Sequence, residues 1–287
     1  MGKRFDTILF PGGKHKAFTL SYDDGVVQDR RLAALFRRYG AKATFNLNSA
    51  LLGKEDMGGY PGKPDLDISK LPVEELETVY AGHEIAGHGL YHSDLAAVGE
   101  PLCAYEVTED KRRLEALTGQ PLRMFAYPFG TFNQAVKDTL RLAGYQGART
   151  VRSTHAFSLQ SDPLEWDPTC HHNDPRLMEL VKTFVEAALP FPMLLYVWGH
   201  GYEFDDDNNW ERMEMLLAYL QPHADQIWFA SNGEILAYLD AYRRLEYSVD
   251  GSLIRNPSAI DVMIRPAFGQ ELLLKAGDVT RVPETPL

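Results

Sequence analysis

Along most of this 287-residue chain, short apolar runs alternate with amphipathic stretches, and that alternation limits the fold more than anything else. Strand-like runs occupy residues 17–22, 43–48, 84–88, 124–127, 147–151, 193–198 and 227–230. Helical periodicity falls between and after them. Residues 30–39 place Leu32, Leu35 and Phe36 on one face, and Gly40 is a stop signal. Pro72 opens a helix to residue 81, and residues 104–117 carry Val107, Leu114 and Leu117 on one face. Asn133 and Ser231 are N-cap residues for helices ending near 143 and 245. Residues 174–188 and 209–220 complete the set. Seven strand–helix units in register predict a parallel sheet rolled into an incomplete barrel over residues 1–245. After residue 246 short β-like runs (252–255, 259–265, 271–275) alternate with Asn256-Pro257 and Gly269. Residues 246–287 are therefore expected to form a small β-rich C-terminal appendage.

Composition narrows the partners. There are 29 basic against 40 acidic residues, a net charge of −11, which argues against nucleic acid and anionic membrane surfaces. A hydrophobic content of 45% is that of a globular chain, not a disordered one. Two cysteines, Cys103 and Cys170, make no disulfide framework and are expected as free thiols. No apolar run approaches the roughly 20 residues of a membrane helix. The first residues hold Lys3 and Arg4 but no apolar leader core, since Asp6, Gly12 and Gly13 interrupt it. A soluble, cytoplasmic protein is the expectation, unless a leader precedes this sequence. The oligomeric state is not legible.

In parallel α/β architectures the chemistry collects at the carboxyl ends of the strands. Here those ends read Asp23-Asp24, His88 with His92 four residues on, Tyr127-Pro-Phe-Gly130, and Trp198-Gly-His200. Adjacent carboxylates repel and call for a cation. One carboxylate and two imidazoles make a three-donor set for zinc or a similar divalent ion, with a position left open for water. The other carboxylate is then free to act as general base, and His200 as general acid from the opposite side, a pairing suited to ester or amide hydrolysis. Taken singly, each feature has a plainer reading. Asp-Asp is commonly a turn, His-x-x-x-His a solvated helix face, and His200 a satisfied core histidine.

Together these residues resemble the polysaccharide deacetylase family, also called the NodB-homology or carbohydrate esterase family 4. Residues 19–25, Thr-Leu-Ser-Tyr-Asp-Asp-Gly, are similar to its T-F-D-D-G motif. His88-Gly-Leu-Tyr-His92 with Ser93, Phe125-Ala-Tyr-Pro-Phe-Gly130 and Leu195-Tyr-Val-Trp-Gly-His200 look like its later motifs. The likeness extends from residue 17 to about 240. It implies a distorted (β/α)7 barrel and a metal-dependent deacetylase with zinc, or cobalt or nickel, as the ion. By residue-to-residue match, Asp23 is the base, Asp24, His88 and His92 are metal ligands, and His200 is the acid. Phe129 stands where a backbone N–H meets the oxyanion, with Tyr127 beside it.

Two departures stand out. The third motif normally carries an arginine that pairs with the catalytic aspartate, and its position holds Ala126. Arg149 and Arg152 are the candidates to replace it, with ordinary surface positions as the alternative. The fourth motif is only approximated by residues 164–167, where Trp166 reads as the wall of an acetyl pocket or as core. Thr169-Cys-His-His172 reads as a rim loop with His171 or His172 against substrate, or as part of a metal site. Trp198, Tyr202 and Glu203 flank His200 and read as sugar contacts or as a plain strand-to-loop junction. Residues 205–209 lack the glycine and terminal glutamate of a calcium loop and read as a helix cap before Trp210. Three functions compete. The first is removal of acetyl groups from an N- or O-acetylated saccharide. The second is hydrolysis of a small non-sugar amide or cyclic ureide or imide. The third is carbohydrate binding without turnover.

Overall fold

Fourteen strands appear in the computed structural model, which describes residues 6–57, 63, 65–267 and 270–283. Residues 1–5, which include Lys3 and Arg4, and Gly269 lie outside the described residues. In chain order the strands are β1 (Asp6–Leu9), β2 (Lys16–Asp23), β3 (Ala43–Leu47), β4 (Glu84–Gly87), β5 (Met124–Ala126), β6 (Gly147–Arg149) and β7 (Cys170–His171). Then come β8 (Met193–His200), β9 (Ile227–Phe229), β10 (Glu246–Tyr247), β11 (Leu253–Arg255), β12 (Val262–Pro266), β13 (Leu272–Leu274) and β14 (Val279–Arg281).

The main sheet is parallel and runs β6-β5-β4-β3-β2-β8-β7, with β9 also on β2. All eight residues of β2 are buried, as expected of a central strand with both faces covered. One short segment draws the open edges together. Trp166 bridges β6, donating its N–H to Ala148 O and accepting from Thr150 N, and a few residues later β7 pairs with β8. The sheet curls into the incomplete barrel foreseen from the alternation, the distorted (β/α)7 barrel that the resemblance implies.

Helices pack outside it. Asp29–Arg38 buries Leu32 and Phe36, while Leu35 packs at the margin. Asn133 Oδ1 accepts from Val136 N (3.0 Å) to start the helix Gln134–Leu142. Ser231 and Glu234 form a capping box on Asn232–Arg243.

Several expectations are corrected. Residues 72–81 hold only a 3-10 turn, Val73–Glu75, and one α-turn, Leu76–Val79, since Gly82 and the short span leave no room for more. Leu117 is exposed on the helix Glu100–Thr118. Asn209 makes no side-chain cap; Asp205 Oδ1 instead accepts from the Trp210 indole N–H (2.7 Å). Cys170 and His171 are strand, not rim loop. Both cysteines are free and buried.

The C-terminal strands form two small antiparallel sheets, β10-β11-β14 and β1-β12-β13. The second takes the first strand of the chain, β1, which the periodicity did not reveal. Its register runs from Asp6 opposite Pro266 to Leu9 opposite Met263. Among the described residues no helix is long and apolar enough to cross a membrane.

Candidate metal centre and acid–base pair

Strand register alone assembles the first part of the site. Asp23, the last residue of β2, lies opposite His200 on one neighbour and Asn46 on the other. The chain then turns sharply through Asp24 (φ 79°) and Gly25 (φ 60°). A side chain at Gly25 would meet Leu47 Cδ2 at 2.8 Å, so this turn needs glycine. The strained Asp24 backbone is held by its N–H donating to Asn46 O (2.9 Å), and this brings both carboxylates to one mouth.

Asp23 is buried. Its Oδ1 accepts from Asn46 Nδ2 (2.8 Å), and its Oδ2 accepts from Arg149 Nη2. Arg149 answers the departure at Ala126. The two residues face each other across β5 and β6, so the guanidinium enters from one strand over. It is fully buried and lies 4.4 Å from the Trp198 ring. Arg152 pairs instead with Asp167 (2.9 Å) and Glu165 (3.0 Å) at the surface. Burial by itself would raise the Asp23 carboxyl. Arg149, then His88 and His200, outweigh burial and hold it below the usual carboxylate range.

Asp24 Oδ1 lies 3.8 Å from His88 Nε2 and 3.6 Å from His92 Nε2. One donor atom from each residue falls within 4.8 Å of the others. His88 Nδ1 faces the Ala126 carbonyl (2.8 Å), which fixes the ring proton on Nδ1 and leaves the Nε2 lone pair toward Asp24. Burial pushes His88 down to about 4, so the ring is neutral at ordinary pH. Two neutral imidazoles and one carboxylate oxygen fit a zinc-class divalent ion.

A second convergence lies on the far side of His200. Glu203 Oε2 sits 3.1 Å from His171 Nε2, 3.4 Å from His172 Nε2 and 3.3 Å from His200 Nδ1. It also accepts from the His200 backbone N–H (2.9 Å). Burial works against a charged His200, yet Glu203, then Asp24 and Asp23, raise its pKa to about 9. His172 is buried between Tyr22 and Phe204, with Nδ1 3.2 Å from the Tyr22 hydroxyl.

Other expected site residues fall in different places. Phe129 is 63% exposed, has φ 58°, and sets its ring edge-on to His92. Trp198 is buried among Arg149, His171 and His200. Tyr127 and Trp166 are in the core, where the Tyr127 hydroxyl donates to Leu164 O (2.8 Å) and Trp166 packs on Tyr196. Asn46 and Lys70, which sequence reasoning passed over, both touch the aspartate pair. Asn46 had a signal, a lone polar residue within an apolar strand. A cavity of about 830 Å³ opens at the opposite, amino-terminal strand ends beside Glu84 and Trp228, and none of these residues lines it.

Residues 11–148 match the polysaccharide deacetylase family model. A gellan lyase from a Bacillus species is 21% identical over 267 residues, covering 81% of this chain and 10% of the lyase. The chain thus spans about a tenth of the length of that curated relative. The Xyl-CE4 domain of a multidomain xylanase from the hindgut metagenome of Trinervitermes trinervoides shares the fold at 15% identity and a TM-score of 0.52, covering 82% of this chain and 96% of that one. A CE4 family pseudoenzyme from Bacillus anthracis is 17% identical with a TM-score of 0.49, covering 77% of this chain and 66% of that one. Asp23, Asp24, His88 and His92 lie within the matched span, and over that part of its length the chain is similar to the polysaccharide deacetylase family.

Proposed function

We propose that this protein hydrolyses acetyl groups on an N- or O-acetylated saccharide with a divalent transition ion, zinc before cobalt or nickel. The observation that carries the reading is the flanking of one donor set by two groups of opposite protonation. Asp23 Oδ2 stands 3.9 Å from both His88 Nε2 and His200 Nε2. Asp24, His88 and His92 would hold the ion. When bound, it supplies Lewis acidity to the attacking water and to the acyl oxygen.

The chain's own residues do the rest. Asp23 is ionised at neutral pH and oriented by Arg149 and Asn46, so it takes the proton from water. His200 carries its proton below about pH 9 and gives it to the leaving amine or alkoxide from Nε2, while Glu203 steadies Nδ1. Phe129, at the exposed lip, offers a backbone N–H to the acyl oxygen. Arg149 supplies Asp23 with the cation missing at Ala126, which takes away one of two grounds for the non-sugar amide reading, the other being the absence of an apolar leader core.

The test is acetate release from acetylated oligosaccharides with added zinc or cobalt. Asp23→Asn is expected to lose about 10²–10⁴-fold in rate. Equal release by wild type and variant would sink the proposal.

A further inference from the structure

Lys70 stands outside both histidine groups, yet the fold carries it to the aspartate pair. Residues 69–71 are clamped to the loop that follows β2. Val27 N donates to Ser69 O (2.9 Å), Leu71 N donates to Gly25 O (2.8 Å), and Val26 and Lys70 form an antiparallel bridge. The Lys70 backbone is thereby held beside the turn that carries Asp24. Lys70 Nζ lies 3.7 Å from Asp24 Oδ2, with the two side chains only 11% and 13% exposed. The other oxygen, Oδ1, is the one that faces His88 and His92. One carboxylate is thus divided between a resident ammonium and the histidine side.

Each aspartate of the adjacent pair therefore has its own cation, Arg149 for Asp23 and Lys70 for Asp24. The two cations differ in consequence. Arg149 pairs with Asp23, whereas Lys70 shares the carboxylate that faces the histidine pair. A divalent ion held by Oδ1, His88 and His92 would be repelled by the same ammonium that stabilises the metal-free pair, and the repulsion is large where water is scarce.

We propose that Lys70 is a built-in competitor for the metal: it occupies Asp24 Oδ2, confines Asp24 to ligation through one oxygen, and weakens the site's affinity for divalent ions. This rests on reading Asp24, His88 and His92 as the metal ligands. The benefit is a site that stays folded without metal and keeps a coordination position free of a second carboxylate oxygen.

The experiment is zinc competition against a chromophoric chelator, using the full chain stripped of metal. Lys70→Met and Lys70→Gln are expected to bind zinc roughly tenfold or more tightly than wild type. Lys70→Arg should stay near wild type. A merely structural lysine would give the opposite result, because a damaged site binds metal less well. If Lys70→Met fails to fold, the polar, uncharged Lys70→Gln carries the same reading. Equal or weaker zinc binding in the neutral variants overturns the role of Lys70. If His88→Ala binds zinc as wild type does, the ligand reading fails and the inference falls with it.

Discussion

Two groups of the same composition, each two histidines and a carboxylate, sit at the strand ends with His200 between them. They are Asp24 with His88 and His92, and Glu203 with His171 and His172. By distance alone the second is the tighter, with contacts of 3.1 and 3.4 Å against 3.6 and 3.8 Å. Their hydrogen-bond partners separate them. His88 Nδ1 faces a carbonyl, so its proton is spent there and Nε2 is a free donor of electrons. His171 Nδ1 accepts from the Asn173 N–H (3.1 Å), so in the neutral ring the proton sits on Nε2 and points to Glu203. The first group is arranged to give lone pairs to a cation, the second to give protons to a carboxylate. A metal site is defined by what holds the far nitrogen of each imidazole as much as by the near one.

The largest expected effect comes from cutting one histidine in each group. His88→Ala should abolish stoichiometric zinc binding and lower acetate release by at least about a hundredfold. His171→Ala should keep one zinc per chain, as measured by metal analysis after dialysis. Loss of zinc in the His171 variant would erase the distinction.

Glu203→Gln comes next. Without the carboxylate, the His200 pKa should fall from about 9 toward the ordinary 6.5, and the alkaline limb of the pH–rate profile should move down with it. The folded-state pKa is raised, so this interaction stabilises the protein fully below pH 6.5 and fades as pH rises through about 9. The melting temperatures of wild type and variant should therefore converge at alkaline pH. An unmoved limb would remove Glu203 from the acid's support.

The smallest signal is the most direct. Imidazole ¹⁵N chemical shifts of the metal-free protein should report an Nδ1–H tautomer for His88 and an Nε2–H tautomer for His171. The same tautomer in both would break the comparison.

Much of this arrangement was legible because it is local. Alternating apolar runs marked the strands, and parallel pairing puts their polar last residues at one end, so Asp23, His88 and His200 could be collected before any coordinates. What could not be read depends on which strands are neighbours. Arg149 and Arg152 differ by three residues and looked alike, yet only the β5–β6 register turns Arg149 inward to Asp23. Lys70 belongs to no strand and reaches Asp24 through loop-to-loop backbone bonds, which leave no periodic trace. The segment 170–172 read as loop because a two-residue strand has no period, and its pairing with β8 is set by the rest of the barrel. The Glu203 hub depends in turn on that pairing, since it brings His171 and His172 beside His200.

The pairing of β1 with β12 bears on how the molecule is made. A ribosome delivers Asp6–Leu9 long before Val262–Pro266. The opening strand must wait, edge exposed, while the barrel grows between the two. Ile8 and Phe10 are buried against Val262 and Ile264 in the finished core, so until then they are sticky surface. A stalled or truncated copy lacking β12 would display that edge permanently, and it would be the natural handle for a chaperone or a protease.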